Sequence, residues 1–450
     1  MTSELWISRL VLLAVAAPLL LLAAIGVPAL ARRPLGERLT GALARLAFLV
    51  SFVALGAAAI AAVGSGAARI DVAVGDWFSV PPYHFRVRLL IDGLSLPFSL
   101  FAVALCGVVS AFAHRYLHRE PGYERFFVLL ALFTVGILVI VLAGSIELAF
   151  AGWELVGLSS ALLIAFFQDR LLPVQNAMYA FVVYRVCDMG LLVAAVLLHH
   201  WCGSGDFVSL FGDAAWPAGA SPLVGARATA VVLLLVVSAM GKCAQVPFSA
   251  WLPRAMEGPT PSSAIFYGAL SVHAGAYLLL RFEPLIREAT GARALIVAVG
   301  LVSSLHATLV GRTQTDIKAV LAYASLTQVG LILAEIGIGL PRLALAHIVG
   351  HACIRSLQFL RAPSLLHDLH GVEGAVGAHV AHAVGHVERK LSSPAQRWLY
   401  RFGLERAYLD ALLASAVVCP FLRLFHAFDA LERRWLGLID GGRGRGRAAP

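Results

Sequence analysis

The chain has 450 residues, of which 60% are apolar and only 14% charged, and its net charge is +9. A soluble domain is usually about half apolar and a quarter charged, so this composition excludes a soluble enzyme and indicates a membrane protein. Six scattered cysteines with no CxxC pair form no disulfide or metal framework. The positive charge is typical of basic loops beside a membrane, and no nucleic-acid partner is expected.

Eleven apolar segments are long enough to cross a bilayer, which takes about 20 residues. They are predicted at residues 6–30, 43–63, 94–114, 126–142, 146–167, 174–198, 229–249, 262–281, 294–310, 317–338 and 343–360. Arginines follow the first segment instead of preceding it, so we interpret it as a retained span and not as a signal peptide. The sequence therefore predicts an all-α, polytopic transmembrane helix bundle.

Loop charges predict the orientation of this bundle. Loops of one parity carry Arg32, Arg33, Arg38, Arg115, Arg119, Arg125, Arg170, Arg254, Arg312 and Lys318. The positive-inside rule then puts these loops in the cytoplasm and the N-terminus outside. Two loops of the other parity, around Arg69 and around Arg287, are also basic and disagree with this assignment. The expected location is the inner membrane of a bacterium.

The segment after Arg361 differs from the rest of the chain. Residues 362–403 are polar, and residues 408–425 are apolar but interrupted by Asp410, Pro420 and Arg423, which favours an amphipathic helix along the membrane surface. We therefore expect three parts, namely two spans and an extracytoplasmic loop (1–92), a conducting core (93–365) and a partner-docking tail (366–450).

Charged residues inside the predicted spans are the candidate functional residues. Each costs at least about 2.5 kcal/mol at the bilayer centre, so it must face protein or water. Glu154 lies mid-span among small residues and has no opposite charge near it in sequence, so its partner comes from another helix or it stays protonated. Arg185 and Asp188 are three residues apart, on one helical face, and are expected to pair locally. A structural ion pair remains an alternative for each of them.

Lys242 lies in a span that Pro247 interrupts five residues later. A proline inside a helix removes a backbone hydrogen bond and frees a carbonyl, here that of Cys243. Broken helices in membrane proteins line ion or substrate cavities. A lysine buried there can take up and release a proton, so Lys242 is the strongest single candidate.

Histidines form a second group of candidates. His347, His351 and Arg355 recur every four residues, and Lys318 and Glu335 lie on the preceding span, which together indicate a hydrated proton path. His273 and His306 are isolated and fit either a proton relay or satisfied interior side chains. His-x3-His is also a metal spacing, but no third ligand is near, so no metal is expected.

The tail carries a further set of histidines, His367, His370, His379, His382 and His386. The last three lie on one face of a short helix and are interpreted as a solvated or partner-facing surface. Carboxylates, a lysine and histidines inside a membrane suit proton or cation passage, because no nucleophile triad, metal cluster or cofactor motif accompanies them. An ion-translocating subunit without a catalytic or metal site of its own is therefore expected.

Four long strings resemble the antiporter-like subunits of respiratory complex I and of Mrp cation/proton antiporters. They are GWELVGLSSALLIAFFQDR, AFVVYRVCDMGLL, GKCAQVPFSAWLPRAMEGPTPSSA and QTDIKAVLAYASLTQVGLILA. The similarity covers residues 92–368 and implies five-helix units in inverted repeats, each with a broken helix. It also implies functional roles for Glu154, Lys242, Arg185 and Asp188.

The chain departs from the large L-type subunit of that family. Tyr267, Arg355 and Tyr179 stand where that subunit has histidine or lysine. The second broken helix is absent, while GLERAYLDALLASAVVCPFLRLF is similar to the C-terminal part of the L subunit. The resemblance therefore implies a shortened second repeat, and it argues against a redox-driven pump.

AIFYGALSVHAGAYLLLR and HIVGHACIRSLQFLRAPSLLHD are more similar to a divergent branch, the membrane subunit (DabB) of DAB inorganic carbon accumulation complexes. That resemblance implies a DabA-type partner with a zinc site of beta-carbonic-anhydrase type, and no cofactor in this chain. Influx of H⁺ or Na⁺ would then drive hydration of CO2 to bicarbonate by the partner.

Three alternatives remain open from the sequence. They are a short antiporter-like subunit of a complex I, hydrogenase or Mrp assembly, a stand-alone secondary transporter, and a membrane enzyme. Alternating access needs two complete halves, which counts against the stand-alone transporter. As a mechanism, Glu154 and Lys242 are expected to be a coupled pair on facing helices.

Overall fold

Two helices and a β-hairpin form the N-terminal part of the chain. A computed structural model describes residues 2–80, 83–376 and 392–439. Helices α1 (Thr2–Leu30) and α2 (Glu37–Ser65) are antiparallel neighbours. Helix α2 ends at Gly66, whose φ of 65° is the left-handed conformation typical of a helix C-terminus. Strands β1 (Arg69–Val80) and β2 (Tyr83–Asp92) follow and pair antiparallel.

Long helices make up the rest of the membrane core. They are α3 (Ser95–Tyr116), α4 (Tyr123–Leu142), α5 (Ile146–Ile164), α6 (Leu171–Cys202), α8 (Gly225–Lys242), α11 (Ser271–Arg281), α13 (Thr290–Gly311), α14 (Ile317–Ile338) and α15 (Pro341–Val376). Shorter helices are α7 (Phe207–Phe211), α9 (Trp251–Arg254), α10 (Thr260–Ser262), α12 (Glu283–Arg287), α16 (Ser393–Leu404), α17 (Leu409–Leu413) and α18 (Cys419–Ile439).

The loops divide between two ends of the bundle. At one end, which we call the hairpin end, backbone bridges join Leu89 to Ala143 and Ser145 to Asp206. At the other, which we call the far end, Glu37 binds the loop after α3, and Lys318 binds carbonyls of the segment before α10. Successive spans therefore alternate in direction, as the predicted loop parity requires.

All eleven predicted spans are present as helices. By length and composition, the described part of the chain holds twelve helices that could cross a membrane, and the additional one is Arg406–Ile439. The span Thr260–Arg281 is buried throughout, so it forms the centre of the bundle. The predicted polytopic helix bundle is confirmed.

The helix that carries Lys242 is broken, as predicted. Helix α8 ends at Lys242, and a turn follows in which Ala244 has a φ of 54° and the Val246–Pro247 peptide is cis. The chain resumes as a 3-10 turn at Phe248–Ala250 and helix α9. Because the α8 ladder stops in the middle of the bundle, backbone groups next to Lys242 are free to bond other partners.

Glycines allow the closest contacts between helices. Two helix pairs, α4–α5 and α13–α14, each have a glycine on both helices at the point of contact. A methyl group on Gly136 or Gly152 would meet the backbone of the other helix in the α4–α5 pair, and Gly300 and Gly330 have the same relation in α13–α14. Helices α4 to α11 form a complete unit, whereas three spans, α13, α14 and α15, follow before the described chain reaches α16. The second unit is therefore short, as expected.

Two elements differ from the prediction. The β-hairpin was not predicted, because the sequence indicated an all-helical fold. Alternating apolar residues, among them Ile70, Val72 and Ile91, are buried on one face of the hairpin. Such alternation over a short loop is a weak signal beside the long apolar spans. The amphipathic helix expected at 408–425 continues to Ile439, because the residues after Phe425 keep strong helix formers.

Candidate functional site

Six side chains from α5, α6 and α8 meet in the middle of the bundle, and we call them the Lys242 cluster. They are Trp153, Glu154, Tyr184, Arg185, Asp188 and Lys242. Small residues make this convergence possible, because a methyl group on Gly190 or Gly241 would collide with the neighbouring helix. Ser238 of α8 also inserts into the α6 ladder, accepting from Leu191 N (2.8 Å) and donating to Cys187 O (2.7 Å).

Arg185 lies between the two carboxylates of the cluster. Its Nη1 contacts Glu154 Oε2 from the neighbouring helix, and its Nη2 lies 2.8 Å from Asp188 Oδ2 on the same helix. Asp188 is buried, while Glu154 and Arg185 keep about a quarter of their side chains exposed (28% and 25%). The local Arg185–Asp188 pair is present as expected, and Arg185 is the interhelical partner that the sequence left open for Glu154.

Lys242 is fully buried and has no direct ion pair in the described structure. Its Nζ lies 3.2 Å from the Trp153 carbonyl oxygen and 4.9 and 4.6 Å from the ring centroids of Trp153 and Tyr184. The Trp153 indole N–H donates to Asp188 Oδ1. Trp153 therefore bridges the lysine to the carboxylate, with two cation–π contacts that favour a charged ammonium.

The side-chain ends of Lys242 and Arg185 both lie beside Gly157. A methyl group there would lie 3.0 Å from Lys242 Nζ and 3.1 Å from Arg185 Nη2. Glu154 and Lys242 do not contact each other directly in the described structure. Arg185 contacts Glu154 and lies near Lys242 at Gly157, and the coupling expected for the pair stays a prediction. Two cations and two carboxylates in one buried volume influence each other strongly because the surroundings have a low dielectric constant.

The backbone after Lys242 is held by neighbouring helices. Val246 N donates to Ser303 Oγ of α13 (3.0 Å), and Ser249 Oγ lies 3.2 Å from His306 Nε2. The Gln245 side chain is buried, and its Oε1 accepts no hydrogen bond within the described chain. His306 thus contacts the broken segment, and one buried oxygen just past Lys242, Gln245 Oε1, has no partner among the described residues.

A second polar group, which we call the histidine row, crosses α11, α14 and α15. It consists of Glu335, Gln328, His347, His351 and His273. His347 Nδ1 lies 2.8 Å from Glu335 Oε1, and its Nε2 lies 3.1 Å from Gln328 Oε1. His351 Nδ1 lies 3.1 Å from His273 Nε2, whose other nitrogen contacts the Ala269 carbonyl.

The row runs from the hairpin end towards the centre of the bundle. Glu335 is close to the end of α14, and His273 belongs to the buried central span. His347 and His351 are about one helical turn apart on α15, and their ring centroids are separated by 6.4 Å. Glu335 Oε2 and His351 Nε2 have no hydrogen-bond partner within the described residues. These are positions at which water molecules would find both donors and acceptors.

A cavity of about 390 Å³ opens at the hairpin end beside Glu335's end of α14. It is lined by Glu283, Arg287 and the 339–343 turn that joins α14 to α15. Burial raises the pKa of Glu283 to about 7, although Arg287 and Arg293 oppose this shift. Glu283 therefore changes protonation near neutral pH, and no motif in the sequence distinguishes it.

Two expected path residues lie away from the row. Lys318 Nζ binds the carbonyls of Met256 (3.3 Å) and Gly258 (3.2 Å) at the far end. It is about 25 Å along α14 from Glu335, at about 1.5 Å a residue, because the two lie at opposite ends of the helix. Arg355 is buried and binds Gln358 at 2.7 Å, one turn beyond His351.

Sequence patterns do not indicate two further ion pairs, one buried and one half-buried. Arg281 contacts Asp92, which caps α3 by accepting from Ser95 N (2.8 Å). Burial alone would raise the pKa of Asp92, but the guanidinium of Arg281 and the backbone N–H groups of Ser95 and Leu94 together more than offset it, so the pKa is lowered. At the far end Arg254 lies 3.2 Å from Asp410, so part of the predicted docking tail packs on the broken segment.

The contacts of the tail histidines are not described by the structure. His379, His382 and His386 lie outside the described residues, and so do the side chains of His367 and His370. Across residues 2–80, 83–376 and 392–439, no three His, Cys, Asp or Glu side chains converge as metal ligands.

The fold and the site define a multi-pass membrane protein of the antiporter-like class. Residues 143–376 match the family model for the transmembrane region of NADH:quinone oxidoreductase and Mrp antiporters. Residues 77–127 match the model for the N-terminus of complex I chain 5. The chain therefore belongs to the NADH:quinone oxidoreductase/Mrp antiporter membrane family.

Curated relatives come from two kinds of complex. The probable inorganic carbon transporter subunit DabB1 of Halothiobacillus neapolitanus is 34% identical over 69% of this chain and 55% of its own length. NADH-ubiquinone oxidoreductase chain 5 of Cryptococcus neoformans is 34% identical over 71% of this chain and 48% of its own length. The chain spans about half the length of the curated relatives it matches.

Solved structures agree on the fold. A chain of the Mrp complex from Dietzia sp. DQ12-45-1b superposes with a TM-score of 0.64 and 27% identity, covering 86% of this chain and 39% of that one. A chain of the membrane-bound sulfane sulfur reductase, an archaeal respiratory complex, gives a TM-score of 0.64 at 19% identity, with 90% and 82% covered. The second likeness concerns the fold alone.

Proposed function

We propose that this chain is the cation-conducting membrane subunit of a complex that accumulates inorganic carbon, with H⁺ or Na⁺ as the ion. The observation that carries the proposal is the pair of polar groups inside the bundle. The Lys242 cluster is buried at a helix break, and the histidine row connects the centre of the bundle to the hairpin end. Charged and titratable groups in this position suit ion passage.

In this proposal the Lys242 cluster is the gate. Arg185 can favour either Glu154 or Asp188, since it contacts both. Loss of the proton from Lys242 removes one of two neighbouring cations, which strengthens the hold of the carboxylates on Arg185. A change at Lys242 therefore moves charge on α5 and α6 through Trp153 and Arg185, without any contact between Glu154 and Lys242.

The histidine row would carry protons between the gate and the hairpin end. A neutral imidazole has one donor and one acceptor nitrogen, so it can take a proton on one side and release one on the other. His273 and His351 are in hydrogen-bond contact, and His347 contacts Glu335. Water at the unpartnered Glu335 and His351 atoms would complete the path.

The inorganic-carbon part of the proposal rests on similarity to DabB1 and on the shortened second unit. We propose a zinc-containing partner of beta-carbonic-anhydrase type, which would use ion influx to hydrate CO2 in one direction. This division of labour suits a chain whose polar groups, in the proposal, move ions and whose described residues form no nucleophile triad. The proposed setting is a bacterial inner membrane, with the N-terminus outside and the far end in the cytoplasm.

A second candidate is an ion-translocating subunit of a complex I-like or Mrp-type assembly. The complex I chain 5 relatives and the Mrp superposition favour it. It differs from the first candidate in its partners and in the need for a second broken helix, which the described second unit does not include.

Purification of the tagged protein from mild detergent, with zinc analysis of the co-purifying proteins, separates the two candidates. The proposal expects a large soluble partner that contains zinc, and CO2 uptake in cells that collapses when the ion gradient is dissipated. Quinone-reductase or multisubunit antiporter partners without zinc would favour the second candidate. A Lys242→Ala chain that retains the partner but abolishes uptake would tie the activity to the gate.

A further inference from the structure

A basic cavity of about 1160 Å³ lies between α2 and α3 at the far end of the bundle. Its walls include Arg38 and Arg45 from α2 and His114 and Arg115 from α3. It is on the opposite side of the membrane from the mouth of the histidine row. The proposed ion path does not use it, so its chemistry needs a separate explanation.

The arginines of this cavity are not neutralised by the protein. Within the described chain Arg38, Arg45 and Arg115 form no ion pair or side-chain hydrogen bond, and all three are exposed. The acidic residue in the wall, Glu37, is already engaged by His118 Nδ1 (2.6 Å) and by Arg119 N (2.8 Å). The cavity therefore carries an uncompensated positive charge.

Arg45 has the most informative position. It lies two turns inside α2, about 12 Å from the helix start at about 1.5 Å a residue, and close to the start of the apolar segment predicted at residues 43–63. A guanidinium at the end of an apolar span extends to the headgroup region, where it can meet a lipid phosphate. Arg38 lies two turns earlier on the same face, so both arginines point to one region.

Apolar surface continues from the cavity into the membrane. Ala111 and Phe112 form part of its wall, and exposed apolar side chains follow on both helices. These are Leu46, Leu49, Phe52 and Val53 on α2 and Val108 on α3. Basic residues at headgroup depth above an apolar groove match a molecule with an anionic head and acyl chains.

We propose that this cavity binds an anionic phospholipid, with its phosphate between Arg45 and Arg115 and an acyl chain along Ala111 and Phe112. Arginine recognises phosphate through two parallel hydrogen bonds, which suits two arginines on facing helices. Basic pockets between transmembrane helices are common sites for anionic headgroups. The lipid would hold α2 against α3 at the far end, where the Tyr123 hydroxyl of α4 already contacts His114 of α3 and the Glu37 carbonyl of α2.

The test compares two variants of equal charge in the complex as purified. Arg45→Gln/Arg115→Gln removes the phosphate ligands, and Arg32→Gln/Arg33→Gln removes two exposed arginines at the same end that do not line the cavity. Native mass spectrometry measures retained lipid. Thermal unfolding is followed with added phosphatidylglycerol, phosphatidylcholine or inorganic phosphate.

Wild type and the control are expected to retain anionic lipid and to be stabilised by phosphatidylglycerol only. The cavity variant should lose apparent affinity at least tenfold. Equal loss in both variants, or stabilisation by phosphatidylcholine, would show bulk membrane attraction and contradict the proposal. Stabilisation by inorganic phosphate alone would indicate a soluble anion, and release of a co-purified polypeptide instead of lipid would indicate a protein-docking site.

A second variant that changes no charge keeps the proposal testable if Arg45→Gln/Arg115→Gln fails to fold. Ala111→Trp fills the exposed cavity wall and leaves every arginine in place. It should reduce lipid retention as strongly as Arg45→Gln/Arg115→Gln. Full retention of anionic lipid by a folded Ala111→Trp protein would overturn the proposed acyl-chain path.

Discussion

The Lys242 cluster and the histidine row solve the problem of burying polar groups in different ways. In the cluster, the guanidinium of Arg185 and the ammonium of Lys242 balance two carboxylates, and Trp153 connects Lys242 to Asp188. In the row, the groups can be neutral, and Glu335 and His351 keep atoms without partners in the described structure. The first arrangement is suited to sensing charge and the second to passing protons through water.

Substitution of Arg185 in the Lys242 cluster is expected to have the largest effect on stability and ion transport. Arg185→Leu would leave Asp188 buried without its cation, and breaking one partner of a buried pair costs about 3–5 kcal/mol. Thermal unfolding in detergent should show this loss. Arg185→Leu/Asp188→Asn should recover most of the stability but no ion transport. Full transport by the double variant would show that the cluster is only structural.

The histidine row predicts a loss of transport without a loss of fold. His351→Gln breaks the contact with His273 and should lower ion flux about 100-fold, the lower end of the range for a lost proton-transfer group. His200→Gln is the matched control, because His200 is exposed near the C-terminal end of α6 and lies off the row. Ion flux in proteoliposomes that contain the complex is the measurement. Equal effects of the two substitutions would contradict the row.

Glu283 predicts a pH dependence at the mouth of the row. Its folded pKa of about 7 exceeds the ordinary 4.5, so the folded state binds this proton more tightly than the unfolded state. Stability from this group is full below pH 4.5 and falls as the pH rises to about 7, by on the order of 1–3 kcal/mol. Glu283→Gln should flatten that slope in thermal unfolding across pH 4.5–7. An unchanged slope would be evidence against the buried protonated carboxyl.

Lys318 should give the smallest effect. Lys318→Gln loses two charge-assisted bonds to carbonyls at the far end, which are worth about 1 kcal/mol after solvent screening. Ion flux should stay within about twofold of wild type, since Lys318 lies far from Glu335. Loss of flux comparable to that of His351→Gln would support the expected place of Lys318 on the proton path.

The sequence predicted the spans, their alternation and the helix break because lipid makes each of these depend on local composition. Apolar length marks a span, and Pro247 marks the interruption after Lys242. The Arg185–Asp188 pair was also readable, since both residues lie on one face of one helix. Each of these signals lies within about 25 consecutive residues.

Contacts between distant segments were not readable in the same way. Glu154 and Arg185 are on different helices. Asp410 contacts Arg254, although the polar segment 362–403 separates the two in sequence. Lys318 and Glu335 share a helix, yet helical rise places them at opposite ends of the bundle. Glu283 carries no motif, and its burial depends on how α12 packs beneath the neighbouring loops.

Ion flux through complexes that contain Lys242→Ala tests the central claim most directly. Reconstituted wild-type complex and the Lys318→Gln control should conduct under an imposed ion gradient, and Lys242→Ala should conduct at least 100-fold less with an unchanged partner content. Wild-type flux through Lys242→Ala would contradict the account, because the ion would then cross the membrane without the only lysine that the structure buries completely in its described part.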